Sequence, residues 1–229
     1  MSSFNSADGS LTTTALLWNC RSAVKKLVKI QEFSLDYDII ALTETWLKRK
    51  HQWKINNFEI IRKDREGKRG GGIAFLINRS VPYRVLDIVH CEDFPTESLA
   101  IEVGEAYNTL LVLCYIPPKE VSKIQWGKFF KKLKSYENVI LAGDFNIHHS
   151  HWNCKSTLIG KKFKYLLKKY KFTVHNRKTM SRIDEKRNVE NNLDLIISNS
   201  NFAGSIETSQ LNDRKGSDHF PIKFRVNMQ

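Results

Sequence analysis

Short apolar runs alternate with amphipathic stretches along most of this chain. Residues 39–44 are apolar until the last two positions, which is typical of a strand that is buried on both faces and ends at a polar edge. In residues 22–33 the apolar positions recur at near-helical spacing with lysines opposite, which predicts an amphipathic helix. The same reasoning predicts strands at residues 15–19, 39–44, 58–62, 73–77, 83–88, 98–103, 110–115, 138–142, 193–198, 204–208 and 220–226, and further helices at residues 122–135 and 158–170.

The long series of strands, separated by Gly, Pro and Asn, favours antiparallel hairpins. Together with the helices it predicts a mixed α/β domain with two sheets and outer helices, rather than one doubly wound parallel sheet. A length of 229 residues suits a single domain, and we find no repeat, linker or low-complexity stretch. We therefore predict a loose tail at residues 1–13 and one domain at residues 14–229.

Net charge is the unusual feature of the composition. Lys and Arg number 37 against 24 Asp and Glu, which gives +13 and indicates a polyanionic partner, with nucleic acid the leading candidate. Hydrophobic residues at 41% and charged residues at 27% exclude a disordered chain and a membrane-spanning one. The polar start of the chain does not resemble a secretory signal.

The cysteines do not indicate a metal site. They lie far apart, without the short spacing of zinc ligands, and we expect free thiols in a reducing compartment: Cys20, Cys91, Cys114 and Cys154. The histidines at 148, 149 and 151 have only Cys154 nearby to complete a zinc set. The glycine run at 70–72 lacks the downstream Lys-Ser/Thr of a phosphate loop and is better explained as a turn into a strand.

Polar side chains collect at the ends of the predicted strands: Asn19, Glu44, Tyr115, Asp144, Asn146, Asp194, Asp218 and His219. If neighbouring strands end on one side, these groups converge on one cleft, as a catalytic site requires. Hydrolysis of a phosphodiester needs a hard cation and groups that handle the proton of water. Glu44 and Asp218 are suitable oxygen ligands for magnesium, and His219 exchanges protons near neutral pH.

Each of these residues also has a purely structural explanation. Glu44 could begin a loop, residues 144–146 could form an Asx turn, and Asp218 with His219 could form a turn before the last strand. The joint occurrence of these groups is what favours a site.

The chain resembles the endonuclease/exonuclease/phosphatase superfamily with the DNase I-like fold. Within it, the chain is most similar to the apurinic-type endonuclease domain of non-LTR retrotransposons. The matching residues occur in the family's order: Trp18-Asn19, Leu42-Thr43-Glu44-Thr45-Trp46-Leu47, Arg69-Gly70-Gly71-Gly72-Ile73-Ala74, Glu97-Ser98-Leu99, Tyr115-Ile116-Pro117-Pro118, Gly143-Asp144-Phe145-Asn146-Ile147-His148-His149, Trp152, Leu193-Asp194-Leu195-Ile196 and Ser217-Asp218-His219.

The resemblance implies a fold, an activity and a context. The fold is a four-layered α/β sandwich of two mostly antiparallel sheets packed face to face with outer helices. The activity is nicking of double-stranded DNA with Mg²⁺, for which Mn²⁺ can substitute, and the 3′-hydroxyl product primes reverse transcription. Because no polymerase motif follows residues 217–219, we expect a C-terminal reverse transcriptase domain in a longer polyprotein. The resemblance also implies a nuclear location and no membrane association, and the oligomeric state stays open.

The resemblance also implies residue roles. Glu44 binds the metal with Asn19 and Asp218 nearby. Asp144 and Asn146 position water and phosphate, Tyr115 contacts the scissile phosphate, and Asp194 orients His219. Which of Asp144 and His219 is the base stays open. Asp194 is preferred to Asp184 because it runs directly into a strand. The residues expected near DNA are Thr179, Ser217, His148 and Arg69.

Two rival functions remain. One keeps the fold and changes the substrate, giving an abasic-site repair enzyme or a phosphatase of inositol phosphates or phospholipids. The basic charge argues against lipid and small-molecule substrates, because the release of counterions from many phosphates favours the binding of long polyanions. The other is a catalytically silent DNA-binding domain. That function predicts missing ligands, and the residues named above are all present.

Overall fold

Two six-stranded sheets form the centre of the molecule. The computed structural model describes residues 11–87, 94–95, 97–106, 108–202 and 205–228. The strands in these ranges are β1 (Leu11–Asn19), β2 (Ile39–Thr43), β3 (Phe58–Lys63), β4 (Ile73–Asn78), β5 (Tyr83–Leu86), β6 (Glu97–Val103), β7 (Thr109–Tyr115), β8 (Asn138–Asp144), β9 (Phe172–Val174), β10 (Arg182–Asp184), β11 (Val189–Asn191), β12 (Asp194–Asn199), β13 (Ile206–Gln210) and β14 (Ile222–Met228). The α-helices are α1 (Leu27–Phe33), α2 (Trp126–Leu133) and α3 (Leu158–Lys169), and short 3-10 turns lie at Val24–Lys26, Ser150–Trp152 and Ser200–Phe202.

The first sheet has the strand order β13-β14-β1-β2-β4-β3, and the second has the order β5-β6-β7-β8-β12-β9. Neighbouring strands are antiparallel except for the pairs β1–β2 and β7–β8. A parallel pair needs a crossover, and α1 and α2 lie in the two connections concerned. The prediction of two mostly antiparallel sheets is confirmed.

Three apolar clusters hold four layers together. The central cluster joins the facing sides of both sheets, with Phe75 from the first and Leu113 and Ile196 from the second. A second cluster packs α2 and α3 on the outer face of the second sheet, and a third packs α1 on the outer face of the first. Burial of both faces explains why β2 is apolar at every position until its end. The predicted four-layered sandwich is confirmed.

Several element boundaries differ from the sequence predictions. Residues 1–10 of the predicted tail lie outside the described residues, but β1 already begins at Leu11 and pairs over its whole first half with β14. α1 begins at Leu27 and α2 at Trp126, each about one turn late, because 3-10 or turn geometry precedes them. Positions 88 and 204, predicted as strand ends, and Cys91 fall outside the described residues.

Three short strands were not predicted. β9 has three residues, and the hairpin of β10 and β11 has three in each strand. The hairpin stands apart from the two large sheets as a separate pair, and its residues are only partly buried or exposed. Alternation over three residues is too short to be distinguished from a polar loop.

Two sequence expectations concern thiols and membranes. Cys20, Cys114 and Cys154 are buried free cysteines. None of the helices in the described ranges combines the length and the apolar character needed to span a bilayer.

The strand register brings the predicted strand ends to one edge of the sandwich. In the first sheet, Asn19 at the end of β1 lies beside Thr43 at the end of β2. In the second sheet, Asp144 at the end of β8 lies between Tyr115 of β7 and Asp194 of β12. The two sheets therefore present their polar ends together.

Candidate active site

Asn19 connects the two sheets at this edge. Its side-chain Nδ2 donates to Asp144 Oδ2 at 2.9 Å and to Glu44 Oε1 at 3.2 Å. The side-chain amide of Asn19 thus bridges two carboxylates, one that follows a strand of the first sheet and one at the end of a strand of the second. Asn19 is fully buried at the end of β1, so its position is set by the strand rather than by a loop.

Glu44 is held by donors from three directions. Besides Asn19, the Tyr115 hydroxyl donates to Glu44 Oε1 and the Trp46 indole donates to Oε2, each at 3.1 Å. The backbone of Glu44 has φ of 51°, a left-handed conformation uncommon for a residue that is not glycine. Such strain persists where surrounding contacts over-determine it, and it is typical of functional sites.

Asp194 and His219 form a buried pair. His219 Nδ1 donates to Asp194 Oδ2 at 2.6 Å, and the two side chains are 3% and 1% exposed. The backbone carbonyl of His219 accepts from the Trp18 indole, and the Asp194 amide donates to Ser181 Oγ. Burial alone lowers the pKa of His219, but attraction to Asp194 and their hydrogen bond overcome it and raise that pKa to about 9. The pairing with Asp194 therefore favours the protonated imidazole. Asp184, the alternative considered from the sequence, lies instead in the β10–β11 hairpin.

Asp144 and Asn146 form the Asx turn that was the structural explanation for this motif. The Asn146 amide donates to Asp144 Oδ1 at 3.1 Å, and Asn146 Nδ2 donates to the Ile116 carbonyl at 3.0 Å. The same turn, however, lies inside the site. Burial, together with repulsion from Asp194 and Glu44, raises the pKa of Asp144 to about 8 despite the opposing charge of His219.

Asp218 is paired with two arginines that the sequence analysis did not single out. Its Oδ2 accepts from Arg21 Nη1 at 2.9 Å and from Arg182 Nε at 3.2 Å. Burial would raise the pKa of Asp218, but His219, Arg21 and Arg182 lower it. The one sequence signal for Arg21 was its place two residues after Asn19. Arg182 lies in the unpredicted hairpin and had no signal.

These groups surround a single 90 Å³ cavity, lined by Arg21, Glu44, Tyr115, Pro118, Asp144, Asn146, Arg182, Asp218 and His219. The structure thus brings together all eight strand-end residues that the sequence singled out, since Asn19 and Asp194 bond directly to this lining.

The four residues expected near DNA differ in their exposure and in their hydrogen bonds. Ser217 is buried, where its hydroxyl donates to the Asn19 carbonyl and accepts from the His219 amide. The Thr179 hydroxyl bonds to Asn176 and Asn192 within its own loop region, and His148 is half-buried with a side-chain hydrogen bond to Asn191. Arg69 is exposed and lines a separate cavity of 740 Å³ beside Trp46.

Several oxygens at the site are suited to a cation. Among the described residues, Asn19 Oδ1, Asp218 Oδ1 and Asp194 Oδ1 are buried atoms without a hydrogen-bond partner, which is unusual for native structures. A hard cation prefers such carboxylate and amide oxygens. Asp144, Asp194 and His219 also have potential ligand atoms within 4.8 Å of one another, but His219 Nδ1 is already bonded to Asp194. Glu44, Asn19 and Asp218 supply further oxygens of the kind that a divalent cation prefers, beside this buried group.

A sequence profile of one protein family matches residues 109–223, half of the chain, and its description is endonuclease-reverse transcriptase. The chain belongs to this family. The matched segment contains Tyr115, Asp144, Asn146, Asp194, Asp218 and His219, and the resemblance seen in the sequence is thereby confirmed. No curated protein matches the chain significantly by sequence.

Solved structures with the same fold include members with different substrates. The endonuclease domain of TRAS1, a telomere-specific non-LTR retrotransposon, superposes with a TM-score of 0.76 at 14% identity, covering 96% of this chain and 100% of that one. An AP endonuclease from Archaeoglobus fulgidus gives 0.72 at 14% identity, with coverage of 94% and 100%. The AP endonuclease LMAP from Leishmania major gives 0.73 at 14% identity, with coverage of 95% and 88%. At such identities the likeness establishes the DNase I-like fold, and the substrate has to be argued from the site.

Proposed function

We propose that this chain is a divalent-metal-dependent endonuclease that nicks double-stranded DNA and leaves a 3′-hydroxyl and a 5′-phosphate. The observation that carries the proposal is the meeting of two kinds of group in one cleft. On one side lie carboxylate and amide oxygens suited to a cation, and on the other lies a buried Asp194–His219 pair next to Asp144. Hydrolysis of a phosphodiester needs both kinds together.

Glu44 and Asp218, with Asn19 alongside, would hold the cation. Magnesium is the expected ion and manganese a substitute, because both are hard cations that bind oxygen ligands. When bound, such an ion neutralises charge on the phosphoryl group and supports the leaving 3′ oxygen. The hydrogen bonds from Tyr115 and Trp46 fix the Glu44 carboxylate in place before binding.

The protein groups then divide the remaining work. Water attacks phosphorus and loses a proton, the bond from phosphorus to the 3′ oxygen breaks, and the 3′ oxygen leaves as an alkoxide that takes a proton from solvent water to become the hydroxyl. Asp144 is the proposed base, since its carboxylate is oriented by Asn19 and by the Asn146 amide, and its raised pKa makes that carboxylate a stronger acceptor of the water's proton than an ordinary one. His219, kept charged by Asp194, stabilises the phosphoryl oxygens in the transition state. Tyr115 contacts the scissile phosphate.

The DNA partner is supported by charge and by shape. The net charge of +13 favours a long polyanion. The 740 Å³ cavity lies next to Trp46, which itself bonds to Glu44, so this surface adjoins the site. Its lining has a net positive charge, with the acids Asp64 and Glu66 against the basic residues Lys48, Arg49, Arg65, Lys68 and Arg69. Arg69 and His148 are proposed to face DNA, whereas Thr179 and Ser217 act through the loops that they hold.

The proposed context is target-primed reverse transcription by a non-LTR retrotransposon in the nucleus, with a reverse transcriptase domain C-terminal to this one. The family description and the likeness to the TRAS1 endonuclease domain support this context.

The proposal is tested by nicking of supercoiled plasmid in Mg²⁺, followed by DNA ligase, which reseals only nicks with a 3′-hydroxyl and a 5′-phosphate. Wild type should produce resealable nicks, and EDTA should abolish them. Asp144→Asn should lose the activity, while the surface variant Arg79→Gln at the far end of β4 should keep it. Equal activity in all three preparations, or none in wild type, would contradict the proposal, and the second result would favour a silent DNA-binding domain.

Abasic-site repair is a second candidate, favoured by the likeness to AP endonucleases. The two functions are distinguished by comparing the cutting rates of matched duplexes with and without one abasic site. Comparable rates support target nicking, whereas cutting of the abasic duplex alone would replace the proposal with the repair function.

A further inference from the structure

Arg21 and Arg182 are the two arginines that line the small cavity at the catalytic centre. Both donate to the same atom, Asp218 Oδ2. Two guanidinium charges therefore share the Asp218 carboxylate at the mouth of the site, and the Glu44 carboxylate also attracts Arg21. Their side chains are 44% and 32% exposed, so this charge is accessible from the cleft.

Both arginines are held in place by the fold. Arg21 and Ser22 have φ of 44° and 101°, and this turn is fixed because Cys20, Ser22 and Ala23 donate backbone hydrogen bonds to residues 43–45. Strain of this kind is retained where a side chain must be aimed. Arg21 also lies over the Trp46 ring at 5.9 Å.

Arg182 is fixed from the opposite side. Its backbone forms an isolated bridge with His219, and the Ile183 amide donates to the Asp218 carbonyl. The first residue of the β10–β11 hairpin is therefore attached to the catalytic segment.

Most of the hydrogen-bonding capacity of these arginines is unused. A guanidinium carries five N–H donors in a planar fork that matches phosphate oxygens. Within the described residues, each of the two uses one of them on Asp218. The remaining donors of each guanidinium are therefore available to phosphate oxygens.

We propose that Arg21 and Arg182 form a phosphate clamp, which binds phosphodiester oxygens of the cut strand from both sides of Asp218. The clamp rests on the proposed nuclease function and adds two substrate-binding residues to it. Asp218 acts as the shared counter-ion that keeps both guanidiniums at the site before DNA arrives. Because Asp218 is also a proposed cation ligand, the clamp and the cation compete for its charge.

The test uses DNA binding as a readout that does not depend on turnover. In an Asp144→Asn background with Mg²⁺, the affinity for a duplex is measured over a series of salt concentrations. Each arginine lost from a phosphate contact should reduce the slope of log affinity against log salt by about 0.9. Arg21→Gln and Arg182→Gln should each show this reduction, and Arg79→Gln, an exposed arginine at the far end of β4, should not.

A second readout measures the competition for Asp218. Mn²⁺ titration of the DNA-free protein, followed by electron paramagnetic resonance, should show about tenfold tighter binding in either Gln variant, as removal of one nearby positive charge implies. Arg21→Lys and Arg182→Lys should keep the salt slope, because the charge is retained, yet nick more slowly than wild type because the fork is lost. Thermal melting checks that each variant is folded.

The outcomes are separable. Tighter Mn²⁺ binding with an unchanged salt slope would mean that the arginines serve only as counter-ions of Asp218, and it would overturn the clamp. Unchanged slope and unchanged Mn²⁺ affinity would overturn it as well. If wild type fails to nick DNA, the proposed function fails, but the salt slopes still decide whether the two arginines bind phosphate.

Discussion

The two sides of the site are built in different ways. Asp144 and Asp194 lie opposite each other in paired strands of the second sheet, and both are almost fully buried. Glu44 and Asp218 lie just outside strands, in partly exposed segments, and are held by side-chain donors: Asn19, Tyr115 and Trp46 for Glu44, and two arginines for Asp218. The first side is fixed by sheet register, so it is coupled to folding. The second side is held by side-chain hydrogen bonds, which a cation or a phosphate would replace under the proposed function.

The largest effect is expected on the buried side. His219→Ala should reduce single-turnover nicking by about 10³-fold, since a charged group preorganised at the phosphoryl oxygens contributes on this order. Asp194→Asn should have a comparable effect, because loss of the Asp194 charge lowers the pKa of His219 and weakens its positive charge. The measurement is the rate at saturating enzyme and Mg²⁺. If either variant nicks within about threefold of wild type, the pair does not act in the chemistry.

On the partly exposed side, Glu44→Gln should reduce nicking by about 10²-fold and raise the Mg²⁺ concentration needed for half-maximal rate, because one anionic ligand is lost. Its stability should fall by about 1 kcal/mol, since Tyr115 and Trp46 donate to different oxygens of Glu44 and the single amide oxygen of glutamine can accept from only one of them. Rates over a Mg²⁺ series and urea unfolding check both statements. A large loss of stability would show that Glu44 is coupled to folding like the other side.

Gly143→Ala tests the register of the second sheet directly. A methyl group at this position would lie 1.9 Å from the Cys114 carbonyl oxygen, and backbone atoms on a neighbouring central strand cannot give way easily. We expect a loss of about 2–3 kcal/mol in unfolding free energy, with reduced activity that follows from displacement of Asp144. Gly127→Ala, on α2 with open space around it, is the matched control and should be neutral or slightly stabilising. Equal stability of the two variants would contradict the tight β7–β8 contact.

The smallest expected effect concerns a histidine away from the site. Burial, with a contribution from Arg177, lowers the pKa of His175 to about 4, and the ring bonds to Ser198 Oγ at 2.7 Å. The unfolded chain then binds the proton more readily, so stability is constant above about pH 6.5 and falls as pH decreases toward 4. In His175→Gln, the loss of unfolding free energy between about pH 6.5 and pH 4 should be smaller by about 1 kcal/mol. This figure is reduced to allow for the partial exposure of the ring. Melting temperatures of both proteins between pH 4 and 7 provide the comparison, and parallel curves would exclude the effect.

Much of the fold could be predicted because local patterns determine it. Long buried strands such as β2 and β8 show continuous apolar runs, and α3 begins directly after its capping residue Thr157. The hairpin of β10 and β11 could not be predicted, because short exposed strands leave no periodic signal. The choice of Asp194 over Asp184 followed from the same local rule, and Asp194 is the one that lies beside His219.

The sequence by itself determined which residue types end each strand, the family to which they belong and the basic character of the surface. Only the tertiary structure decided which of these residues meet. Asn19 bonds to Asp144 across 125 positions, and Arg21 bonds to Asp218 across 197. Periodicity describes a residue's own strand or helix, whereas such contacts depend on how two sheets pack and align their ends. For that reason the strand-end acids were visible in the sequence, and the two arginines that share Asp218 were not.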